Sequence, residues 1–173
     1  MYKSSLRFLG IRLRSEYEIR SKIKEWYKKD IFKECSLEER VILEDRVVDQ
    51  LKKDRFVDDA RFAAEWVYSR VRSKPRGEFI LKMELAKKGI PKDLIDETLE
   101  KILYVEDNGY NKQSSEIEMA RRVAQKYAKR LVNEDTMAYK FKLSQALARK
   151  GFASDATRTV VDEFLDKRYN SIE

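Results

Sequence analysis

Glu78-Phe79-Ile80-Leu81-Lys82-Met83-Glu84-Leu85-Ala86-Lys87-Lys88-Gly89-Ile90 is the stretch that decides how this chain folds, because its pattern occurs three times. Shifted by 62 residues without a gap, Phe79, Leu81 and Leu85 fall on Phe141, Leu143 and Leu147 in one direction. In the other they fall on Tyr17, Ile19 and Ile23. Lys88-Gly89-Ile90 also falls on Lys150-Gly151-Phe152, Gly on Gly. A Gly placed after Lys-Lys or Arg-Lys reads as a helix stop: it can take the left-handed conformation that closes a helix. The cations before it suit the negative end of the helix dipole. Outside this helix the spacing drifts, and Ala63 matches Ala120 at 57, so the connections differ in length.

Outward from this segment the apolar periodicity stays helical. Leu94, Ile95, Leu99, Ile102 and Leu103 share one helix face, as do Met119, Val123, Ala124, Tyr127 and Leu131, and no comparable stretch alternates with period two. Ser15 with Glu18, Ser36 with Glu39 and Ser115 with Glu118 have capping-box spacing. Pro75 and Pro91 suit first helical positions, and Asp58 and Ser154 are further cap candidates. The reading is nine helices, at about 3–13, 16–29, 37–53, 59–72, 76–88, 92–104, 116–131, 136–149 and 155–168. They group into an all-α fold of three tandem three-helix repeats, 1–55, 56–108 and 109–173. A unit of this size barely buries its own core, so the units are expected to stack into an elongated, curved right-handed superhelix. Such a surface suits extended partners better than small ligands.

Composition narrows the function. The 173 residues hold no His, one Cys, five Gly and two Pro. Lack of His removes Ser-His-Asp and Cys-His catalysis and every His-containing zinc site. The lone Cys35 removes an internal disulfide and a thiolate metal cluster, and a reducing compartment is the simpler expectation. No apolar run approaches the length of a membrane span, and the first residues lack an apolar signal-peptide core, so a cytoplasmic protein without membrane association is expected. Walker and Gly-x-Gly-x-x-Gly loops are absent from the sequence.

The net charge is +7, and it is segregated. Blocks 1–34, 60–92 and 119–152 carry +5, +6 and +7, whereas 35–59, 93–118 and 153–173 carry −3, −6 and −2. The first two helices of each repeat are therefore basic and the third acidic. Stacking would line the cations into a stripe including Arg61, Arg70, Arg72, Lys74, Arg76, Arg121, Arg122, Lys126 and Arg130, suited to phosphate chains or an acidic protein groove. The plain alternative is a solvated surface of mixed ion pairs. The acidic helices either meet a basic partner or neutralise their neighbours. Asp58-Asp59 reads as a helix cap, and the carboxylates of 93–107 follow solvent-face spacing, which gives no acid/base pair. Trp26 and Trp66 lie on apolar stripes, while Tyr2, Tyr68 and Tyr104 are less constrained. Gly77, after Arg76, reads either as a site of close backbone approach or as loop geometry.

Leu51, Phe56-Val57-Asp58-Asp59, Arg61-Phe62-Ala63, Arg70, Arg76-Gly77, Glu84-Leu85 and Lys88-Gly89-Ile90 together resemble the RecX family of recombinase regulators. Arg14-Ser15 with Glu18-Ile19, and Leu147 to Phe152, look like weaker copies of the same signature. Asp54-Arg55 stands where members often place Gly before the aromatic, and the N-terminal extension of some members is not seen. The resemblance implies a thrice-repeated three-helix fold and binding along the groove of the RecA–single-stranded DNA filament. That would limit filament growth, strand exchange, ATP hydrolysis and co-protease activity. It further implies some direct affinity for single- or double-stranded DNA, no cofactor, no metal and no chemistry of its own. A monomer is the simplest state. The nine cations of the stripe are the expected contact donors. Two rivals stand beside this reading: a general DNA-binding helical module without a RecA role, and a Mg²⁺-dependent hydrolase using the acidic third helices.

Overall fold

Helix starts are fixed by the side chains that precede them. Ser36 Oγ accepts the Glu39 N–H at 3.2 Å while the Glu39 carboxylate accepts the Ser36 N–H at 2.7 Å, a complete capping box. Asp58 accepts the Arg61 N–H at 3.0 Å, and Asp135 the Ala138 N–H at 2.8 Å. The computed structural model describes residues 1–28, 35–103 and 112–169. Among them the chain is all-α: α1 (Tyr2–Leu9), α2 (Glu16–Trp26), α3 (Leu37–Lys53), α4 (Asp59–Ser73), α5 (Glu78–Ala86), α6 (Lys92–Leu103), α7 (Lys112–Ala128), α8 (Thr136–Arg149) and α9 (Ser154–Tyr169).

Several boundaries differ from the sequence reading. Helix α7 begins at Lys112, so Ser115 lies inside it and is not its cap. Pro91 is the residue before α6, its carbonyl accepting the Ile95 N–H at 3.0 Å, and Pro75 lies outside α5. Helix α1 stops at Leu9 with Gly10 as its C-cap, and α2 stops at Trp26. Tyr104 lies outside the described residues.

Three helix ends share one closing motif. Gly89 and Gly151 have φ of +75° and +81°, and Arg55 has φ of +59°. After each, the next residue's N–H reaches back into the last turn: Phe56 and Leu51 at 2.9 Å, Ile90 and Leu85 at 3.2 Å, Phe152 and Leu147 at 3.4 Å. This closes the carbonyls that a helix end leaves unpaired.

Two compact units divide the chain, Met1–Glu65 with Leu85–Ile95, and Trp66–Glu84 with Asp96–Glu173. The division runs through α4, α5 and α6. In the first unit, Ile19, Ile23, Tyr27, Val47, Val48, Leu51 and Val57 form a buried cluster, with Leu6, Phe8, Trp26 and Leu43 packed against it. In the second, α7, α8 and α9 pack pairwise and bury Ala120, Ala124, Leu143, Leu147, Val160 and Val161. The overlay residues Ile19, Leu81, Leu143, Ile23, Leu85 and Leu147 are all at most 1% exposed. Each such burial is worth about 1.5–3 kcal/mol, which explains why the pattern repeats. Ala63 and Ala120 are both fully buried as well.

Each unit also contains a joint between second helices. In the first unit, Ser15 Oγ donates to the Lys88 carbonyl at 2.7 Å and Lys88 Nζ donates to Glu18 Oε1 at 2.7 Å. A Cβ on Gly89 would stand 2.3 Å from Tyr17 Cβ. In the second unit the overlay partner of Ser15 is Gly77, whose own N–H donates to the Lys150 carbonyl at 2.9 Å. A Cβ on Gly77 would stand 1.9 Å from the Gly151 carbonyl oxygen, and one on Gly151 2.3 Å from Ile80 Cγ1. Of the two readings of Gly77, close approach of two backbones is the one the structure shows.

Candidate partner-binding surface

Helix α4 ends in cations, Arg70 and Arg72, followed by Lys74 and Arg76 on the way to α5. The last carbonyls of a helix lack intrahelical donors. Here Arg122 of α7 supplies them, donating to the Val71 carbonyl at 2.8 Å and the Arg72 carbonyl at 2.9 Å. This clamp, wholly inside the second unit, sets α7 against the end of α4. It anchors Arg122 to the backbone two to three residues before Lys74, and Lys126 follows one turn along the same face of α7. Arg72, Lys74, Arg122 and Lys126 are all exposed. Among the described residues no carboxylate pairs with Arg72, Lys74 or Lys126. Cations collected without counter-charges raise the local positive potential, the condition for attracting a polyanion.

The other cations of the expected stripe are placed differently. Arg70 Nε donates to Glu84 Oε2 at 2.6 Å, an oxygen it shares with Trp66 Nε1 at 2.8 Å, and its guanidinium lies 4.6 Å from the Trp66 ring centre. Arg121 makes a two-pronged pair with Glu163 at 2.8 and 2.6 Å and reaches Glu118 at 3.2 Å. The Glu163 hydrogen bonds push the Arg121 pKa above its ordinary value. Arg76 is half-buried and its Nε is enclosed without a hydrogen-bond partner. Arg14 has a buried, unpartnered Nε too, at the overlay-equivalent position 62 residues earlier. Arg130 is exposed, 6.0 Å from the Tyr127 ring centre, and Arg61 is exposed in the first unit. The structure thus leaves Arg72, Lys74 and Lys126 exposed, ties Arg122 to the end of α4, and commits Arg70 and Arg121 to internal pairs.

Carboxylates of the acidic third helices find partners inside the protein. Glu44 and Asp45 of α3 accept from Arg20 of α2 at 3.1 and 2.7 Å. Asp96 of α6 pairs with Lys82 of α5 at 2.7 Å, and Glu163 of α9 with Arg121. Arg20 and Lys82 are overlay equivalents, each also paired four residues back, with Glu16 and Glu78. Of the two readings of these helices, neutralisation of neighbours is therefore the one with contacts. No group of three or more His, Cys, Asp or Glu side chains among the described residues is arranged to hold a metal ion. No described helix is long and apolar enough to cross a membrane.

Two acids have roles that helical periodicity does not reveal. Glu18 leaves its capping-box role and instead accepts from Arg12 at 2.9 and 2.7 Å and from Lys88. Burial opposes its ionisation, but the Arg12 and Lys88 hydrogen bonds outweigh that and hold its pKa down at about 2. Asp59, next to the cap of its own helix, accepts the Glu16 N–H at 2.8 Å and so closes the start of α2. Burial pushes its carboxyl pKa up. The Glu18–Lys88 and Asp59–Glu16 contacts join residues more than 40 positions apart, and local spacing carries no signal for them.

Residues 58–99 match the family model for the second three-helix domain of RecX, and residues 114–161 the model for the third. Regulatory protein RecX of Leuconostoc mesenteroides subsp. mesenteroides is 33% identical over 131 residues, covering 76% of this chain and 46% of that protein. Regulatory protein RecX of Geobacillus sp. (strain WCH70) is 26% identical over 176 residues, covering 99% of this chain and 58% of that protein. The chain spans about half the length of these curated relatives. The crystal structure of RecX from Lactobacillus salivarius superposes with a TM-score of 0.71 at 22% identity, covering 94% of this chain and 93% of that one, which shows a shared fold. With two consecutive domain models matched in register to the helices described above, the chain belongs to the RecX family.

Proposed function

We propose that this chain is a negative regulator of RecA recombinase, acting in the cytoplasm as a monomer. It binds in the groove of the RecA–single-stranded DNA filament and limits filament growth, strand exchange, ATP hydrolysis and co-protease activity. Family membership supports the partner. The observation that supports the mode of binding is that Arg72, Lys74 and Lys126, on the two helices joined by the Arg122 clamp or just beyond them, are exposed and have no carboxylate partners among the described residues. In this reading those three, with Arg61, Arg76 and Arg130, are contact donors. Arg70, Arg121 and Arg122 brace the surface through their internal bonds. The test is a RecA strand-exchange and ATPase assay titrated with substoichiometric protein. Wild type is expected to inhibit, and the triple reversal R72E/K74E/K126E to inhibit at least tenfold less at unchanged helical content. Full inhibition by the folded variant removes this surface from the reading.

The same uncompensated cations favour a second reading, a general DNA-binding module without a RecA role. It predicts steeply salt-dependent binding to bare DNA, with affinity indifferent to added RecA. Binding tighter to the filament than to bare DNA at equal salt decides for the first.

A further inference from the structure

Internal bonds leave the arginines of the second unit in different states. Arg121 uses all three of its nitrogens, Nε and Nη2 on Glu163 and Nη1 on Glu118. Arg122 spends both terminal nitrogens on the Val71 and Arg72 carbonyls. Arg70 is bound through Nε alone, to Glu84 Oε2 at 2.6 Å. Its Nη1 and Nη2 have no hydrogen-bond partner among the described residues, and neither is enclosed. The same Glu84 oxygen accepts the Trp66 indole N–H at 2.8 Å, and the guanidinium lies over the Trp66 ring, 4.6 Å from its centre. Trp66, Arg70 and Glu84 all belong to the second unit. The guanidinium is thus held at one edge by a carboxylate and on one face by an indole, while its outer edge stays open to solvent.

We propose that Arg70 is a preset fork for one phosphate group of a nucleic-acid strand, positioned by Trp66 and Glu84. A guanidinium is planar, and its two outer N–H groups match two oxygens of a phosphate. Fixing that plane beforehand removes part of the ordering cost that a free arginine meets on binding. Glu84 offsets the charge of Arg70, so the contribution comes from two directed hydrogen bonds, not from net charge. A second anion position lies beside it. The Lys74 N–H donates to the Arg70 carbonyl at 3.0 Å, which places Lys74 one turn on along the same face. Lys74 is exposed and has no carboxylate partner among the described residues. Two adjacent anion positions suit a chain of phosphates, whereas a side-chain carboxylate of a protein partner fills one of them. The proposal rests on the reading of this surface as a polyanion track and names the residue that sets the strand's register on it.

The test measures wild type, R70K and W66F on bare single-stranded DNA and on the RecA–single-stranded DNA filament across a range of salt. Thermal unfolding serves as the folding control. R70K keeps the charge beside Glu84 but cannot form the fork. It is expected to bind bare DNA roughly tenfold more weakly, with the salt slope of wild type. W66F keeps the Arg70–Glu84 pair but loses one of the bonds that fix Glu84, and a loss of roughly threefold is expected. Should one variant fail to fold, the other decides. Wild-type affinity for bare DNA in the folded variants overturns the proposal. So does a shallower salt slope in R70K, which would mean a displaced surface, not a lost fork. A loss on the filament with none on bare DNA overturns it too, and assigns the fork to a carboxylate of the protein. Wild type that binds bare DNA but gains nothing from RecA overturns the filament reading and leaves this site standing. Wild type that binds the filament but not bare DNA does the reverse.

Discussion

The two joints solve one packing problem with different chemistry. In each, a lysine carbonyl at the end of one second helix must find a donor at the start of another. At Lys88 the donor is the Ser15 hydroxyl, with the Lys88 ammonium held by Glu18; at Lys150 it is the bare N–H of Gly77. The first joint is polar and ionic, and its side chains can yield. The second is backbone against backbone, with no room for a single carbon. The difference teaches that conservation of a joint's geometry does not require conservation of its donor.

The largest expected effect is at the tighter joint. Gly77→Ala places its Cβ inside contact distance of the Gly151 carbonyl, and neither backbone can move without opening the helix end. Overpacking of this kind costs about 3 kcal/mol, measurable by urea unfolding. A cost below about 1 kcal/mol would show that the second joint yields like the first.

Ser15 tests the other side. It is fully buried, caps α2 through the Glu18 N–H and donates to Lys88. Ser15→Ala is expected to lose about 1–2 kcal/mol, the worth of a cap plus a buried acceptor left unpaired. Ser15→Gly should lose less, because a glycine N–H already serves the equivalent acceptor in the second joint.

Glu18→Gln should cost about 1 kcal/mol at neutral pH, the size of a partly screened ion pair. The sign of its pH dependence follows from its lowered pKa. The contribution is fully present above the ordinary glutamate value of 4.5 and is lost as pH falls through about 2. Wild type and variant should therefore converge in acid unfolding, and high salt should narrow the gap at pH 7. A salt-independent gap would mean that hydrogen bonding, not charge, holds the first joint.

The smallest effect has the opposite sign. Arg55 is a non-glycine residue in left-handed conformation, at a helix end built like those of Gly89 and Gly151. Arg55→Gly relieves a strain of about 1–2 kcal/mol and returns part of it through the freer unfolded chain. A net gain of about 0.5 kcal/mol in thermal unfolding is expected.

Sequence spacing anticipated the helices well because apolar period and caps are local properties. Leu81 and Leu143 announce themselves within one turn, and Asp58 caps the helix that follows it. The site was anticipated less well. Nothing near Arg70 says that Glu84 will claim it, and nothing near Arg122 says that it will close the end of α4. The charge blocks point to helices, but which cation is spent on a neighbour and which is left over depends on tertiary contacts. The overlay also aligned Tyr17, Phe79 and Phe141 correctly without telling that they face outward.

Asp58 and Asp59 serve two different helix starts from one turn, α4 and α2. A gene truncated after residue 55 would therefore encode a first module whose second helix has lost an acceptor for its opening amide. Changing the number of modules by deletion cannot be done at the apparent boundary in the chain; the cut must carry the acidic dipeptide with the piece upstream of it, or a substitute acceptor must be grafted in.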